Sequence, residues 1–299
     1  MRKLMLTGAF KYSQEQLNRL ENLGYEIIFV QDERIPLDFD VSGIVAVVCN
    51  GLFLYNDISE FKNLKAIQLT SAGLDRVPLD YINEHRIQVF NASGVYSIPM
   101  AEWVVLKVLE IYKKSRYFYK NQEKHKWKKH RDLLELTDKT TSIIGFGNVA
   151  SEIAKRLKAF GVNVISVDIR KVESDYVDES LLINDIDDAL KKSDIVILTL
   201  PLTDETRYLI NKDKIDIIKD NAVLVNVARG GIIDEAEIIK ALNGGKFLGV
   251  ALDVFEEEPL GESPLWGFKN VIITPHNSFV SDKVNERLFE LMVENLDKP

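Results

Sequence analysis

Short apolar runs of strand length recur along this chain, separated by stretches in which apolar residues return at helical spacing. The first run predicts a strand over residues 3–9. It is followed by a helix over 13–23, capped by Ser13 and closed by Gly24, and a second strand over 25–30. Further strands are predicted at 44–49, 64–70 and 88–91. The pattern then changes, and 98–121 reads as one long helix with Pro99 tolerated in its first turn. Six more strands are predicted at 141–146, 162–169, 195–200, 222–228, 247–254 and 270–274, with a helix over 234–242 that stops at Gly244 and Gly245. A last helix over 282–296 is placed to return to the first part of the chain. Alternation of this kind predicts an α/β protein with two doubly wound parallel-sheet domains. The expected division is 1–97 plus 280–299 for one domain and 98–279 for the other.

Composition narrows the class. A chain of 299 residues is too long for one modest core and fits two domains. The apolar runs are too short to span a bilayer, and the first residues lead straight into a strand, so neither a membrane span nor a secretory signal is expected. The single Cys49 cannot form an internal disulfide; with no signal expected, this points to the cytoplasm. Cys49 lies within an apolar strand and reads as a core thiol. A net charge of −8 argues against nucleic acid as a partner. The local basic run around Trp127, from Lys124 to Arg131, is therefore read as a solvated arm anchored by its tryptophan. His85, His125 and His130 have no partner pattern, and no set of residues has metal-ligand spacing.

The stretch Thr141-Ser-Ile-Ile-Gly-Phe-Gly-Asn-Val-Ala150 runs from a strand through two glycines into a helical pattern. This is the context that the G-x-G-x-x-G/A dinucleotide fingerprint requires. Gly145 permits a tight turn, Gly147 leaves room for a pyrophosphate, and Ala150 allows close helix–strand packing. The next strand ends at Asp168, an acid placed to accept the ribose hydroxyls of an adenosine and to repel a 2′-phosphate. NAD is thus expected over NADP, although Arg170 is of a type that accommodates a 2′-phosphate. The plain alternative is a glycine turn in an α/β domain with a solvated acid at a strand end.

Ligands in open α/β sheets bind outside the carboxyl ends of the strands. There, three successive predicted strands are followed by Arg229, by the acidic run containing Glu258, and by His276. These types suit interconversion of an alcohol and a ketone. Histidine can exchange a proton near neutral pH, a neighbouring carboxylate favours the protonated imidazole, and an arginine fork can grip a carboxylate and polarise a carbonyl. Each also has a plain reading, as a surface ion pair, a solvated acid and a core histidine. Asp253, near a strand end, would hold a nicotinamide carboxamide or cap a turn.

The motifs Gly145-Phe-Gly-Asn-Val-Ala150, Leu200-Pro-Leu-Thr203, Val225-Asn-Val-Ala-Arg-Gly-Gly-Ile-Ile-Asp234, Asp253-Val-Phe-Glu-Glu-Glu-Pro259 and Thr274-Pro-His276 resemble the D-isomer-specific 2-hydroxyacid dehydrogenases. The resemblance extends back to Ser71-Ala-Gly-Leu-Asp75. It implies a Rossmann-type NAD-binding domain and a smaller flavodoxin-like substrate domain. The implied enzyme uses NAD(P) to interconvert a small 2-oxo acid and a D-2-hydroxy acid. His276 would be the acid/base, Glu258 its partner and Arg229 the substrate-binding arginine. By the same resemblance, amides of Ser71, Ala72 and Gly73 would hold the substrate carboxylate. Gly145, Gly147, Asn148, Val149, Asp168, Arg170, Pro201, Thr206, Val227, Ala228 and Asp253 would line the cofactor. Such proteins usually form homodimers through the cofactor domain, including the helix near residue 100. A family glycine shortly after the histidine is replaced here by Asn277-Ser278-Phe279, which bears on the substrate pocket. The run Asn50-Gly-Leu-Phe-Leu-Tyr55 carries no arginine or lysine, which disfavours a phosphorylated substrate. The alternative function is an NADH-sensing regulatory protein of the same fold; a different NAD enzyme such as a formate dehydrogenase fits the glutamate and histidine less simply.

Overall fold

In the computed structural model, which describes residues 1–298, the chain divides into two units, Met1–Tyr96 with Ser281–Pro299, and Ser97–Val280. In the first unit the elements are β1 (Arg2–Thr7), α1 (Gln14–Asn22), β2 (Tyr25–Val30), β3 (Ile44–Cys49), β4 (Ala66–Leu69), α2 (Leu79–Glu84) and β5 (Gln88–Phe90). The five strands pair in parallel in the order β2-β1-β3-β4-β5, a flavodoxin-like arrangement. α1 starts as its sequence dictates. The Ser13 hydroxyl accepts from the Gln16 amide while the Gln16 side chain accepts from the Ser13 amide, a complete capping box.

The second unit contains α3 (Ser97–Tyr112), α4 (Ser115–Glu123), β6 (Thr140–Ile144), α5 (Asn148–Ala159), β7 (Asn163–Asp168), β8 (Glu179–Leu182) and α6 (Ile186–Lys192). It continues through β9 (Ile195–Leu198), α7 (Lys212–Ile217), β10 (Ala222–Asn226), α8 (Glu235–Asn243), β11 (Phe247–Leu252) and β12 (Val271–Ile273). The parallel sheet runs β12-β11-β10-β9-β6-β7-β8. The order reverses between β6 and β9, as in a Rossmann-type sheet. Near-continuous apolar residues in β9, β10 and β11 reflect burial on both faces, with one apolar core on each side of the sheet.

The last helix, α9 (Val284–Leu296), belongs to the first unit. Its Leu288, Phe289, Met292 and Leu296 are buried with Leu4, Leu6, Phe10 and Leu20. Asn295 donates to Gln68 at 2.8 Å, the Tyr25 hydroxyl donates to the Leu296 carbonyl at 3.0 Å, and Arg19 forms a two-pronged pair with Glu290.

Three expectations need correction. The helix over 98–121 is two helices: Lys114 adopts φ +49, which ends α3, and α4 restarts at Ser115 with no buried residue. The Tyr112 carbonyl at the end of α3 instead accepts from the Leu134 amide. The second sheet has seven strands, because Glu179–Leu182 adds a half-exposed edge to β7. Trp127 is not an anchor but is 97% exposed, in a segment without regular structure where flanking lysines keep the chain in water. Cys49 is wholly buried, and burial pushes its thiol up.

Candidate active site

β6 leads into the fingerprint and α5 leaves it. Gly145 sits at φ +85, and a Cβ there would lie 2.6 Å from the Leu200 backbone, so both the turn and the close approach of the next loop require glycine. Gly147 caps α5, and a Cβ on it would meet no protein atom within 4 Å. The start of α5, at Asn148 and Val149, is thus approachable beside a helix N-terminus of 12 residues, which suits a pyrophosphate. Ala150 is fully buried. Asp168 ends β7, and its Oδ2 accepts from the Phe146 amide at 2.6 Å, tying the acid to the fingerprint turn. Arg170 is exposed two residues on. After β9, the Thr206 hydroxyl donates to the Pro201 carbonyl and accepts from the Thr203 amide, both at 2.7 Å, closing the loop that holds Pro201. The residues at this edge therefore fit a dinucleotide.

β10, β11 and β12 are neighbours in the sheet, so the segments following them emerge side by side. After β10, Asn226 brackets the turn: its Oδ1 accepts from the Ala228 amide and its Nδ2 donates to the Arg229 carbonyl, both at 3.0 Å. Val227 and Ala228 are buried, and Arg229 donates from Nη1 to the Ala228 carbonyl at 2.8 Å. The next residue, Gly230, lies directly on the following loop. A Cβ there would stand 1.8 Å from the Phe255 carbonyl carbon and 2.3 Å from the Glu256 nitrogen. That contact brings the arginine turn against the segment carrying Glu258.

Glu258 accepts from His276 Nδ1 through Oε2 at 2.8 Å and from the Phe255 amide through Oε1 at 3.0 Å. With Nδ1–H committed to the carboxylate, Nε2 becomes the basic position of the neutral ring. His276 itself has φ +50, an uncommon conformation for a side-chain-bearing residue, held by bonds from its amide to the Asp253 and Thr274 carbonyls. Asp253 organises the loop. Fully buried, its carboxylate accepts from the Asn277 amide at 2.8 Å, the Ser278 amide at 2.9 Å and the Thr274 hydroxyl. These bonds use most of its acceptor capacity, so its first task is to fix the histidine loop. Neither Asn277 nor Ser278 needs a positive φ, so the absent family glycine does not strain this loop.

Around this centre, Glu235 and Glu256 exchange backbone bonds, each carboxylate accepting from the other's amide, and Tyr208 donates to Glu256 at 3.0 Å. Burial pushes the Glu235 carboxyl up, and the hydrogen bond to Glu256 raises the Tyr208 hydroxyl. Asn226, Thr274 and this glutamate pair were not singled out from the sequence. In the first unit, Ser71, Ala72 and Gly73 follow β4, and among the described residues none of their three amides donates a hydrogen bond. No helix among the described residues is long and apolar enough to cross a membrane, and no cluster of metal-ligand type occurs among them.

A doubly wound sheet bearing a glycine fingerprint, with Glu–His and arginine segments at its carboxyl edge, defines a dinucleotide-fold protein. Residues 105–278 match the family model described as D-isomer specific 2-hydroxyacid dehydrogenase, NAD binding domain. The chain belongs to that family. It is 36% identical over 259 residues to a hydroxypyruvate reductase of Thermotoga maritima, covering 85% of this chain and 84% of the relative. It is 34% identical over 258 residues to a D-3-phosphoglycerate dehydrogenase of Methanocaldococcus jannaschii; the match covers 85% of this chain but 49% of that protein. Among solved structures, a D-lactate dehydrogenase of Aquifex aeolicus complexed with NAD and lactic acid aligns with a TM-score of 0.78. It shares 27% identity and is covered to 93%, with 98% of this chain aligned.

Proposed function

We propose that this protein is an NAD-dependent dehydrogenase that interconverts a small 2-oxo acid and its D-2-hydroxy acid. The observation that carries the reading is the 2.8 Å bond between His276 Nδ1 and Glu258, braced by the buried Asp253 at the carboxyl edge of the sheet. In reduction, protonated His276 donates from Nε2 to the carbonyl oxygen; in oxidation, Nε2 takes the hydroxyl proton. Glu258 holds the ring in the required tautomer and stabilises its charged form. Arg229 binds the substrate carboxylate and polarises the carbonyl. The nicotinamide cofactor supplies the two-electron chemistry when bound. Gly145, Gly147, Asn148, Val149, Pro201, Thr206, Val227 and Ala228 are its lining, and Asp168 favours a ribose diol over a 2′-phosphate. Asp253 acts by positioning the histidine loop. The unit of 1–96 with 281–299 is the substrate domain and 97–280 the cofactor domain, assembled as a cytoplasmic homodimer.

Loss of absorbance at 340 nm, followed with glyoxylate, pyruvate and a bulkier 2-oxo acid in parallel NADH and NADPH series, tests the proposal. Turnover is expected with NADH, and His276→Ala is expected to lower kcat by roughly 10²–10⁴-fold with cofactor binding intact. Cofactor binding without turnover across the panel would instead support an NADH-sensing protein.

A further inference from the structure

Three segments of the second unit meet at Glu256, just ahead of Glu258 in the chain. The segment 208–210, after β9, runs beside 231–234, after β10. The Tyr208 amide donates to the Gly231 carbonyl at 2.8 Å, the Ile210 amide to the Ile232 carbonyl at 3.0 Å and the Asp234 amide to the Ile210 carbonyl at 3.1 Å. Asp234 then caps α8, accepting from the Glu237 amide at 3.1 Å, so that the helix begins at Glu235. Tyr208 and Glu235 are thereby brought to the loop after β11.

The bonds to that loop are reciprocal. The Glu235 amide donates to Glu256 Oε1 at 2.8 Å, and the Glu256 amide donates to Glu235 Oε1 at 2.6 Å. The other carboxylate oxygen of Glu256, Oε2, accepts from the Tyr208 hydroxyl at 3.0 Å. Tyr208 makes this bond from φ +51, a backbone that glycine adopts at lower cost. Besides Glu256, the charges acting on Tyr208 are Arg207 and Asp234.

What these bonds fix is the reference point for Glu258. Its Oε1 accepts from the Phe255 amide at 3.0 Å while its Oε2 accepts from His276 Nδ1 at 2.8 Å. The carboxylate is therefore placed relative to the Phe255–Glu256 backbone. Gly230 stops that backbone from moving toward the arginine turn, since even a Cβ there would lie 1.8 Å from the Phe255 carbonyl carbon. A steric stop does not keep the loop from lifting away. The bonds from Glu256 to Glu235 and Tyr208 do.

We propose that Tyr208 and Glu235 are positioning residues for the acid/base pair: by holding Glu256 they keep its loop seated and the Glu258 carboxylate on His276 Nδ1. This inference rests on the 2-oxo acid reading given above.

The test uses three variants of the full chain. Tyr208→Phe removes one hydroxyl, Glu235→Ala removes the acceptor for the Glu256 amide, and Glu235→Gln restores an oxygen that accepts the same bond. In Tyr208→Phe and Glu235→Ala, kcat for reduction of a 2-oxo acid is expected to fall about tenfold with KM for NADH within roughly twofold. In Glu235→Gln it is expected to return to within about threefold of wild type. Because Glu258 favours the protonated ring, loosening it moves the pH profile of kcat/KM for oxidation of the hydroxy acid to lower pH. Amide exchange over 253–258, followed by mass spectrometry, is expected to rise in Tyr208→Phe and Glu235→Ala and to stay unchanged over β7. Faster exchange with wild-type kcat and pH profile would make the bonds structural only and overturn the proposal. So would variants that match wild type in every readout, or a Glu235→Gln protein as slow as Glu235→Ala. If Glu235→Ala does not fold, Tyr208→Phe, which loses a single hydroxyl, decides alone. A wild-type protein that reduces no 2-oxo acid would instead remove the functional reading, and this proposal with it.

Discussion

Gly230→Ala tests whether the arginine turn and the glutamate segment act as one assembled piece. The added methyl would lie 1.8 Å from the Phe255 carbonyl carbon, 2.0 Å from its oxygen and 2.3 Å from the Glu256 nitrogen. All three are backbone atoms, so no side chain can swing aside. Restoring ordinary contact requires the two segments to part by about 1.5 Å. Gly230 does not occupy a positive φ, so the obstacle is space alone. Overpacking of this kind costs about 1–3 kcal/mol of stability. The kinetic cost is expected to be larger in proportion, since displacing Arg229 from Glu258 by about 1 Å lowers turnover by roughly 10²-fold. The assay is steady-state NADH oxidation with a 2-oxo acid, beside a thermal melt and a cofactor titration by nicotinamide fluorescence. Gly261→Ala, where a Cβ would meet nothing within 4 Å, is the control and is expected to behave as wild type. A folded Gly230→Ala protein with wild-type kcat would refute the idea that this contact sets the geometry of the site.

Two further substitutions probe the supporting structure. Asp253→Ala strands the buried amide of Ser278, at about 1–3 kcal/mol, releases the part-buried amide of Asn277, and frees the histidine loop. It is expected to lower Tm and to reduce kcat more than it raises KM; near-native turnover would show that His276 is held by something else. The Lys158 ammonium, with help from the Val164 amide, holds the Asp178 carboxyl below its ordinary value of 3.8. Its stabilisation is complete above that value and is lost as pH falls through the lower folded one. Because the side chain is 43% exposed, Asp178→Asn is expected to cost only about 1 kcal/mol at pH 7, a Tm drop of a few degrees. Melts taken down the acid range should show the gap to wild type closing; a gap independent of pH would contradict the assignment.

How much of this was legible in the sequence depended on whether the signal was local. Strands β2 and β3 coincide with their apolar runs to the residue, and the Ser13 cap could be read because its partner lies three residues away. The edge strand β8 was missed because Glu-Ser-Leu-Leu, half-exposed, has neither the alternation nor the apolar density of its neighbours. The break after Tyr112 was missed because Lys114 takes a left-handed backbone without the glycine that normally announces one. Arg229, Glu258 and His276 were visible because each follows a recognisable strand. What braces them was not: Asp253 serves residues more than twenty positions away, and the Gly230 contact joins two separate loops. Such through-space debts leave no periodic mark.

The position of α9 has a consequence for the order in which the molecule is made. Leu4, Leu6 and Phe10 are synthesised before the Ser97–Val280 unit, whereas the side chains that cover them, Leu288, Phe289 and Met292, are synthesised after it. At roughly 5–20 residues per second, that sheet face waits for tens of seconds while the entire Ser97–Val280 unit is synthesised. The dinucleotide-fold unit, contiguous in the chain, can mature first. The discontinuous unit is begun before it and completed after it, and in that interval its apolar sheet face stays bare.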